Sequence, residues 1–275
     1  MKTVKISLLL LILSIISISC EKDEEKYVEP ATLAQDLQND LWKAVAYLPY
    51  YALQFDGLNG HVIFENSESL NPSNAISISL WVRLEGPVDC DGTDNWVSIL
   101  NKSWPTETNS GYSIQVEVDR ALTWAIGTES GYTLYGTGKG LTINKWTHLT
   151  FVYDASTSGA NIYIDGYLNE SGGYGDVGHG SIIPNPSPLQ LNTPAFSTCT
   201  EEKGNFPGSI DDLSIWNKVL TTEEIRDIIK NGLIGTEAGL ISYWPFNEGS
   251  ELTARDEAGN NDGELLGDVA WIYRY

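Results

Sequence analysis

The stretch "AISISLWVRL" (residues 75–84) alternates strictly. Ile76, Ile78, Leu80, Val82 and Leu84 fall on one side, and serines, Trp81 and Arg83 on the other. A period of two marks an extended strand with one buried face, because a helix would scatter these positions around its axis. "GYSIQVEV" (residues 111–118) repeats the pattern, and "ALTWAIG" (residues 121–127) is its expected partner. "WTHLTFVYD" and "NIYIDG" read as two strands joined by the small-residue turn "ASTSGA". Asp165 and Gly166 then form a turn pair favoured between antiparallel strands. "DLSIW" supplies another short strand. The chain holds 26 Gly, 14 Tyr and 9 Trp against a single Met, a mix suited to turns and pleated surfaces rather than helical bundles. Hydrophobic residues are 41% of the total, enough for a substantial core. The fold class is therefore all-β, an antiparallel sandwich of two sheets.

Two segments break this pattern. Thr221 and Glu224 make a capping box ahead of "EIRDIIKNG", which predicts a helix over residues 222–230 with Ile225, Ile228 and Ile229 on one face and Gly232 as the stop. Leu33, Leu37, Leu41 and Val45, spaced by four, predict a short amphipathic helix within residues 32–46. It either lies against the main domain or spaces that domain from its anchor.

The first residues speak of location. Lys2 and Lys5 precede an apolar run over residues 6–18 that is too short to span a bilayer and ends in small residues, so residues 1–19 read as an export signal. Residues 21–30 are charged and end in Pro30, as a tether would. Acidic residues number 37 against 16 Lys plus Arg, a net charge of −21 that argues against nucleic acid as a partner.

"Ser19-Cys20" resembles the lipobox of bacterial lipoproteins, with Ser17 where that pattern favours Leu. The resemblance implies lipid attachment at Cys20. "CEKDEE" resembles the surface-export tag of Bacteroidota lipoproteins, which implies display on the outer face of the outer membrane. Two or three acyl chains would anchor the protein stably where one would not. Cys90 and Cys199 remain. In an oxidising compartment such a pair tends to form a disulfide, closing a loop of about a hundred residues worth roughly 4 to 5 kcal/mol; free thiols are the other reading.

Three longer stretches carry a second resemblance. "LQFDGLNGHVIFENSESLNPSNAISISLWVRLEG", "NKWTHLTFVYDASTSGANIYIDGYLNESG" and "FPGSIDDLSIWNKVLTTEEIRDIIKNG" look like the opening, the central hairpin and the closing strand and helix of laminin G-like, concanavalin A-like jelly rolls. The likeness covers about residues 50–235 and implies a jelly-roll domain over residues 47–275. Trp81, Trp146 and Trp216 are expected to fill or flank its core, and His148 to be a satisfied structural histidine. The tail, residues 238–275, resembles the segment that usually opens such a domain. It either supplies the last strands of the same sandwich, the preferred reading because "YWPF" and "VAWIY" need partners, or begins a truncated second module.

The resemblance bears on chemistry as well. Related sandwiches often hold one calcium ion, an oxygen-loving cation that tolerates turn carbonyls. The "IDDLSIW" match places Asp211 near a structural ligand of a related glucanase family. Asp256 and Asp262 of the oxygen-rich "DEAGNNDG" and Asp56 of "FDG" are the alternatives. For hydrolysis, Glu117 and Asp119 are the one suggestive carboxylate pair, but Arg120, Ala121 and Leu122 follow where a laminarinase-type motif needs a third acid. No histidine sits in a nucleophile motif. "GGYGDVGHG" (residues 172–180) lacks the Lys and Ser/Thr of a phosphate loop and reads as a rim loop. Cysteine and histidine spacing for zinc is absent. Trp96, Trp104, Tyr132, Tyr135 and Tyr174 are candidate stacking platforms for sugars. The expectation is a lipid-anchored, non-catalytic binding domain for a glycan or an extracellular protein. A divergent glycan hydrolase and a structural subunit of a surface complex are the competing readings.

Overall fold

A computed structural model describes residues 50–89, 96–103, 110–138, 140–157, 159–169, 173–174, 179–193 and 204–274. One compact unit spans Tyr51–Tyr275. In chain order its strands are β1 (Tyr51–Asp56), β2 (His61–Phe64), β3 (Ala75–Leu84), β4 (Trp96–Lys102), β5 (Tyr112–Glu117), β6 (Leu122–Thr128) and β7 (Gly131–Gly136). Next come β8 (Thr147–Asp154), β9 (Gly159–Ile164), β10 (Tyr167–Asn169), β11 (Gly173–Tyr174), β12 (Leu189–Leu191) and β13 (Pro207–Trp216). Helix α1 (Thr222–Asn231) precedes β14 (Leu240–Trp244), β15 (Thr253–Ala254), β16 (Gly263–Leu266) and β17 (Val269–Tyr273).

The strands form two antiparallel sheets. One runs β10-β9-β8-β3-β13-β1-β17, with β14 also on β13; the other runs β11-β7-β6-β5-β4-β12-β2-β16-β15. The long strand β13 pairs with β3 on one side. On its other side β1 covers residues 207–210 and β14 covers residues 213–216. The two thus lie end to end along one edge. The ladder with β3 shifts register between Asp211 and Ser214, where Asp212 takes a positive φ of 49°. Such a bulge re-aims side chains.

The alternation in β3 does what its period requires. Ile76, Ile78, Leu80, Val82 and Leu84 are fully buried between the sheets. They meet Leu53 and Phe55 of β1, Ile114 and Val116 of β5, and Trp124 of β6 in one core. Trp124 meets Phe151 edge-on at 5.8 Å, and Phe64 packs on Trp244 at 4.4 Å. Each such aromatic pair adds about 1 kcal/mol beyond area burial. Trp244 and Phe246 are fully buried, β14 and β17 join the first sheet, and β15 and β16 join the second. Residues 238–275 therefore contribute to both sheets and to the shared core.

A second apolar cluster lies outside the first sheet: Val152, Tyr163, Trp216, Leu220, Ile225, Leu233 and Tyr243. Helix α1 contributes Ile225 to it. Thr221 caps the helix by accepting from the Glu224 N–H, while Glu224 reaches back to the Thr221 N–H at 2.8 Å. A cap of this kind is worth about 1 kcal/mol. The serines of β3 lie beneath this layer. Ser77 Oγ donates to the Lys218 carbonyl at 2.7 Å and accepts from the Leu220 N–H at 3.0 Å. Asp165 (φ 51°) and Gly166 (φ 77°) make the expected left-handed turn between β9 and β10.

Candidate functional site

The outward face of the second sheet is built from the polar half of each alternating strand. Register aligns Asn101 of β4 with Ser113 of β5, which in turn faces Ala125 of β6 and then Leu134 of β7. The next row is Ser98, Gln115 and Thr123, and beyond it Trp96 faces Glu117. Gln190 of β12 extends the first row beside Asn101. Their inward neighbours Val97, Ile114, Val116, Leu122 and Trp124 are core, so the phase of each strand is fixed by burial. The floor is shielded: Ser113, Gln115 and Thr123 are 2%, 6% and 6% exposed. Gln115 Nε2 donates to Ser113 Oγ at 3.3 Å, and Thr123 Oγ1 donates to Glu117 at 2.9 Å. Buried Ser98 Oγ has no hydrogen-bond partner. No lysine or arginine points outward among the described residues of β4 to β7. Asn101, Ser113, Gln115 and Thr123 were not singled out from the sequence. Their signal was the polar half of the "GYSIQVEV" alternation.

Two of the expected aromatic platforms lie on this face. Trp96 sits half-buried at one end of β4, opposite Glu117. Tyr132 of β7 is 38% exposed and faces Gly127. Burial raises its hydroxyl pKa, offset by hydrogen bonds to Ser113 and Ser103. Tyr135 is a correction. It points inward, 6% exposed, with its ring 6.5 Å from Trp124, because β7 places Thr133 and Tyr135 inward and Tyr132 and Leu134 outward. It is a core residue and not a platform. Trp104, Cys20, Cys90 and Cys199 lie outside the described residues, as does the side chain of Tyr174, whose backbone pairs with Leu134.

The two candidate catalytic acids do not act as a pair on one strand. β5 ends at Glu117, and Asp119 sits in the following turn, accepting the Ala121 N–H at 2.9 Å. Among the described strands of this sheet, the other outward carboxylate, Glu264 of β16, stands four strands from β5. At about 4.8 Å per strand that is roughly 19 Å. Two-carboxylate glycoside hydrolysis needs about 5 to 9.5 Å.

The four candidate metal ligands occupy three separate places. Asp211 of β13 is fully buried on the outer side of the first sheet and ion-paired with Arg274, which lies just past β17; Arg274 also reaches Asp212 at 3.1 Å. Burial, then the neighbouring Asp212 charge, pushes the Asp211 carboxyl well above the usual range, and Arg274 opposes that shift. Asp56 accepts the Leu58 N–H at 2.9 Å and so closes its own turn. Asp256 and Asp262 share a loop, but Asp256 accepts the N–H groups of Tyr243, Ala258, Gly259 and Asn261, and Asp262 accepts that of Asp256. These carboxylates solve backbone hydrogen bonding. Among the described residues no group of three or more His, Cys, Asp or Glu is placed to hold a metal. Among the described residues, the four candidate carboxylates do not converge as a calcium cage of six to eight oxygens requires.

The aromatics expected to fill or flank the core divide between two places. Trp216 is buried in the second cluster. Trp81 and Trp146 instead flank Arg274, with its guanidinium carbon 4.6 Å from one ring centre and 4.7 Å from the other. His148, opposite Trp81 in the ladder, meets it edge-on at 5.1 Å. Its Nε2 lies 3.0 Å from Ser79 Oγ while its buried Nδ1 has no partner, so the histidine is only half satisfied. Burial drives its pKa down to about 4, with Asp165 opposing and Arg274 reinforcing the shift.

Two layers of antiparallel strands, a capped helix on one outer face and a polar floor on the other define a jelly-roll module of the lectin-like kind. The family model of the concanavalin A-like lectin/glucanases superfamily matches residues 56–226, and the chain belongs to that family. Among curated proteins, human pentraxin-related protein PTX3 is 25% identical over 200 residues, covering 68% of this chain and 48% of that protein. A rat protein with sushi, von Willebrand factor type A, EGF and pentraxin domains is 22% identical over 206 residues, covering 70% of this chain and 5% of that protein. The chain thus spans less than half the length of either relative. Among solved structures, a Bacteroides ovatus protein assigned to carbohydrate binding superposes with a TM-score of 0.62 at 16% identity, covering 82% of this chain and 60% of that one. The heptameric SAP-like pentraxin of Limulus polyphemus gives 0.53 at 14% identity, covering 82% and 96%.

Proposed function

We propose that this is a non-catalytic glycan-binding domain and that the outward face of the second sheet is its binding surface. The carrying observation is the shielded row of amide and hydroxyl side chains, Asn101, Ser98, Ser113, Gln115 and Thr123, lying between Trp96 and Tyr132. Sugar hydroxyls both donate and accept, and amides and hydroxyls do the same, so such a floor suits a neutral saccharide. Aromatic rings at its ends suit the apolar faces of pyranose rings. Among the described residues, β4 to β7 present no outward lysine or arginine to pair with carboxylated or sulfated glycans. The carbohydrate-binding assignment of the Bacteroides ovatus neighbour supports the reading. Among the described strands of this sheet, the carboxylate of Glu264 stands too far from Glu117 for two-carboxylate hydrolysis, which favours binding over cleavage.

The N-terminal residues would display this domain on the outer membrane through lipid at Cys20, and Cys90 and Cys199 would be bridged there. The test of binding is an array of neutral and acidic glycans probed with the purified protein and with Gln115→Ala and Tyr132→Ala. Binding to neutral glycans that falls tenfold or more in both variants, with unchanged melting temperatures, is the expected result. Binding that survives both substitutions would place the site elsewhere.

A further inference from the structure

We infer that Trp81, Trp146, Asp211 and Asp212 form a receptor for a guanidinium ion, filled in cis by Arg274 and open to an arginine side chain of another chain when Arg274 leaves. The inference is independent of the glycan reading, because the receptor lies on the outer side of the other sheet. One guanidinium has two indole faces against it, at 4.6 Å and 4.7 Å, and two carboxylates at its edge. A planar, weakly hydrated fork can stack on indoles and hydrogen-bond carboxylates at once, whereas an ammonium has no plane to stack.

The walls exceed what one structural ion pair needs. Asp211 is fully buried and uses Oδ2 for Arg274, yet its Oδ1 has no partner. Trp146 Nε1 and His148 Nδ1, on the adjoining strand and the loop before it, are also buried without partners. Trp81, Asp211 and His148 lie on β3, β13 and β8, the centre of the sheet, and Trp146 immediately precedes β8, so the receptor is held by the rigid part of the fold. Its occupant is not. Arg274 follows β17, which among the described residues pairs only with β1 at the edge of the sheet, next to half-exposed Tyr273. The occupant can therefore lift away without opening the core. Arg83, 5.1 Å from Trp146, does not compete for the carboxylates because Glu85 holds it at 2.6 Å. A net charge of −21 would draw basic peptides towards such a site.

Chemical rescue tests this. Arg274→Ala is melted in millimolar ethylguanidinium, in matched ethylammonium and in matched sodium salt. Ethylguanidinium at about tenfold its dissociation constant is expected to raise the midpoint of the variant by roughly 3 to 5 °C, with a smaller shift from ethylammonium and none in the wild type. Adding Asp211→Asn to the variant is expected to abolish the rescue. Equal midpoints in all three salts, an equal rise in the wild type, or full rescue of the double variant would overturn the proposal. If Arg274→Ala does not fold unaided, the yield on refolding in each salt is read instead, and equal yields overturn it.

Discussion

His148 makes acid a specific threat to this fold. In the unfolded chain the imidazole titrates near 6.5, while burial holds it near 4 in the folded state. Between those values the unfolded chain binds a proton that the folded chain does not, so stability is lost as pH falls from 6.5 towards 4. Above 6.5 both states are neutral and the group contributes nothing. A gap of that size at 1.36 kcal/mol per unit costs about 3 kcal/mol by pH 4. Other groups titrate over the same range. Asp211 and Glu248, whose pKa values burial raises, work in the opposite direction. The comparison must therefore be with His148→Gln, which keeps an amide to meet Ser79 Oγ and has no proton to gain. Urea denaturation followed by tryptophan fluorescence at pH 7, 6, 5 and 4 gives the two curves. The wild type is expected to lose about 3 kcal/mol more than the variant between pH 6.5 and 4, equivalent to roughly 6 to 12 °C in midpoint for a domain of this size. Parallel curves would show that the folded protein protonates the ring freely and would refute the reasoning.

Cys20→Ala is expected to move the protein from the membrane fraction to the soluble fraction without changing its melting temperature; persistent membrane association would remove the lipid anchor from the account. Lys102→Met is expected to cost about 2 kcal/mol at pH 7, read from urea midpoints. The Lys102 ammonium is fully buried and donates to Asn66 Oδ1 at 2.7 Å and to the carbonyls of Asn185 at 3.1 Å and Ser187 at 2.8 Å. An unchanged or higher midpoint would mean that relief of its desolvation, which pulls its pKa down to about 8, outweighs those bonds.

The elements legible in the sequence are those whose signals are local. β3, β5 and the β8–β9–β10 hairpins follow from period-two alternation and from Asp165-Gly166, and α1 from its capping box. β7 was harder because residue type opposed burial: Leu134 faces out and Thr133 faces in, so the phase of Tyr135 could not be read from hydrophobicity. Asp211 was misleading for a different reason. Its partner Arg274 is 63 residues away and reaches it only because β17 docks on β1, which docks on β13. No local pattern carries that register. The polar floor lies between these cases. Ser113 and Gln115 stand out as the polar half of a strand, but their alignment with Ser98, Asn101 and Thr123 is set by pairing across three strands.

The placement of β1 between β13 and β17 has a consequence for biogenesis. Residues 51–56 cannot be enclosed on both sides until residues 269–273 have left the ribosome. Closure over more than two hundred residues makes assembly slow and late. A nascent chain of this protein should therefore remain open and threadable through most of its synthesis, which is the state a secretion channel accepts.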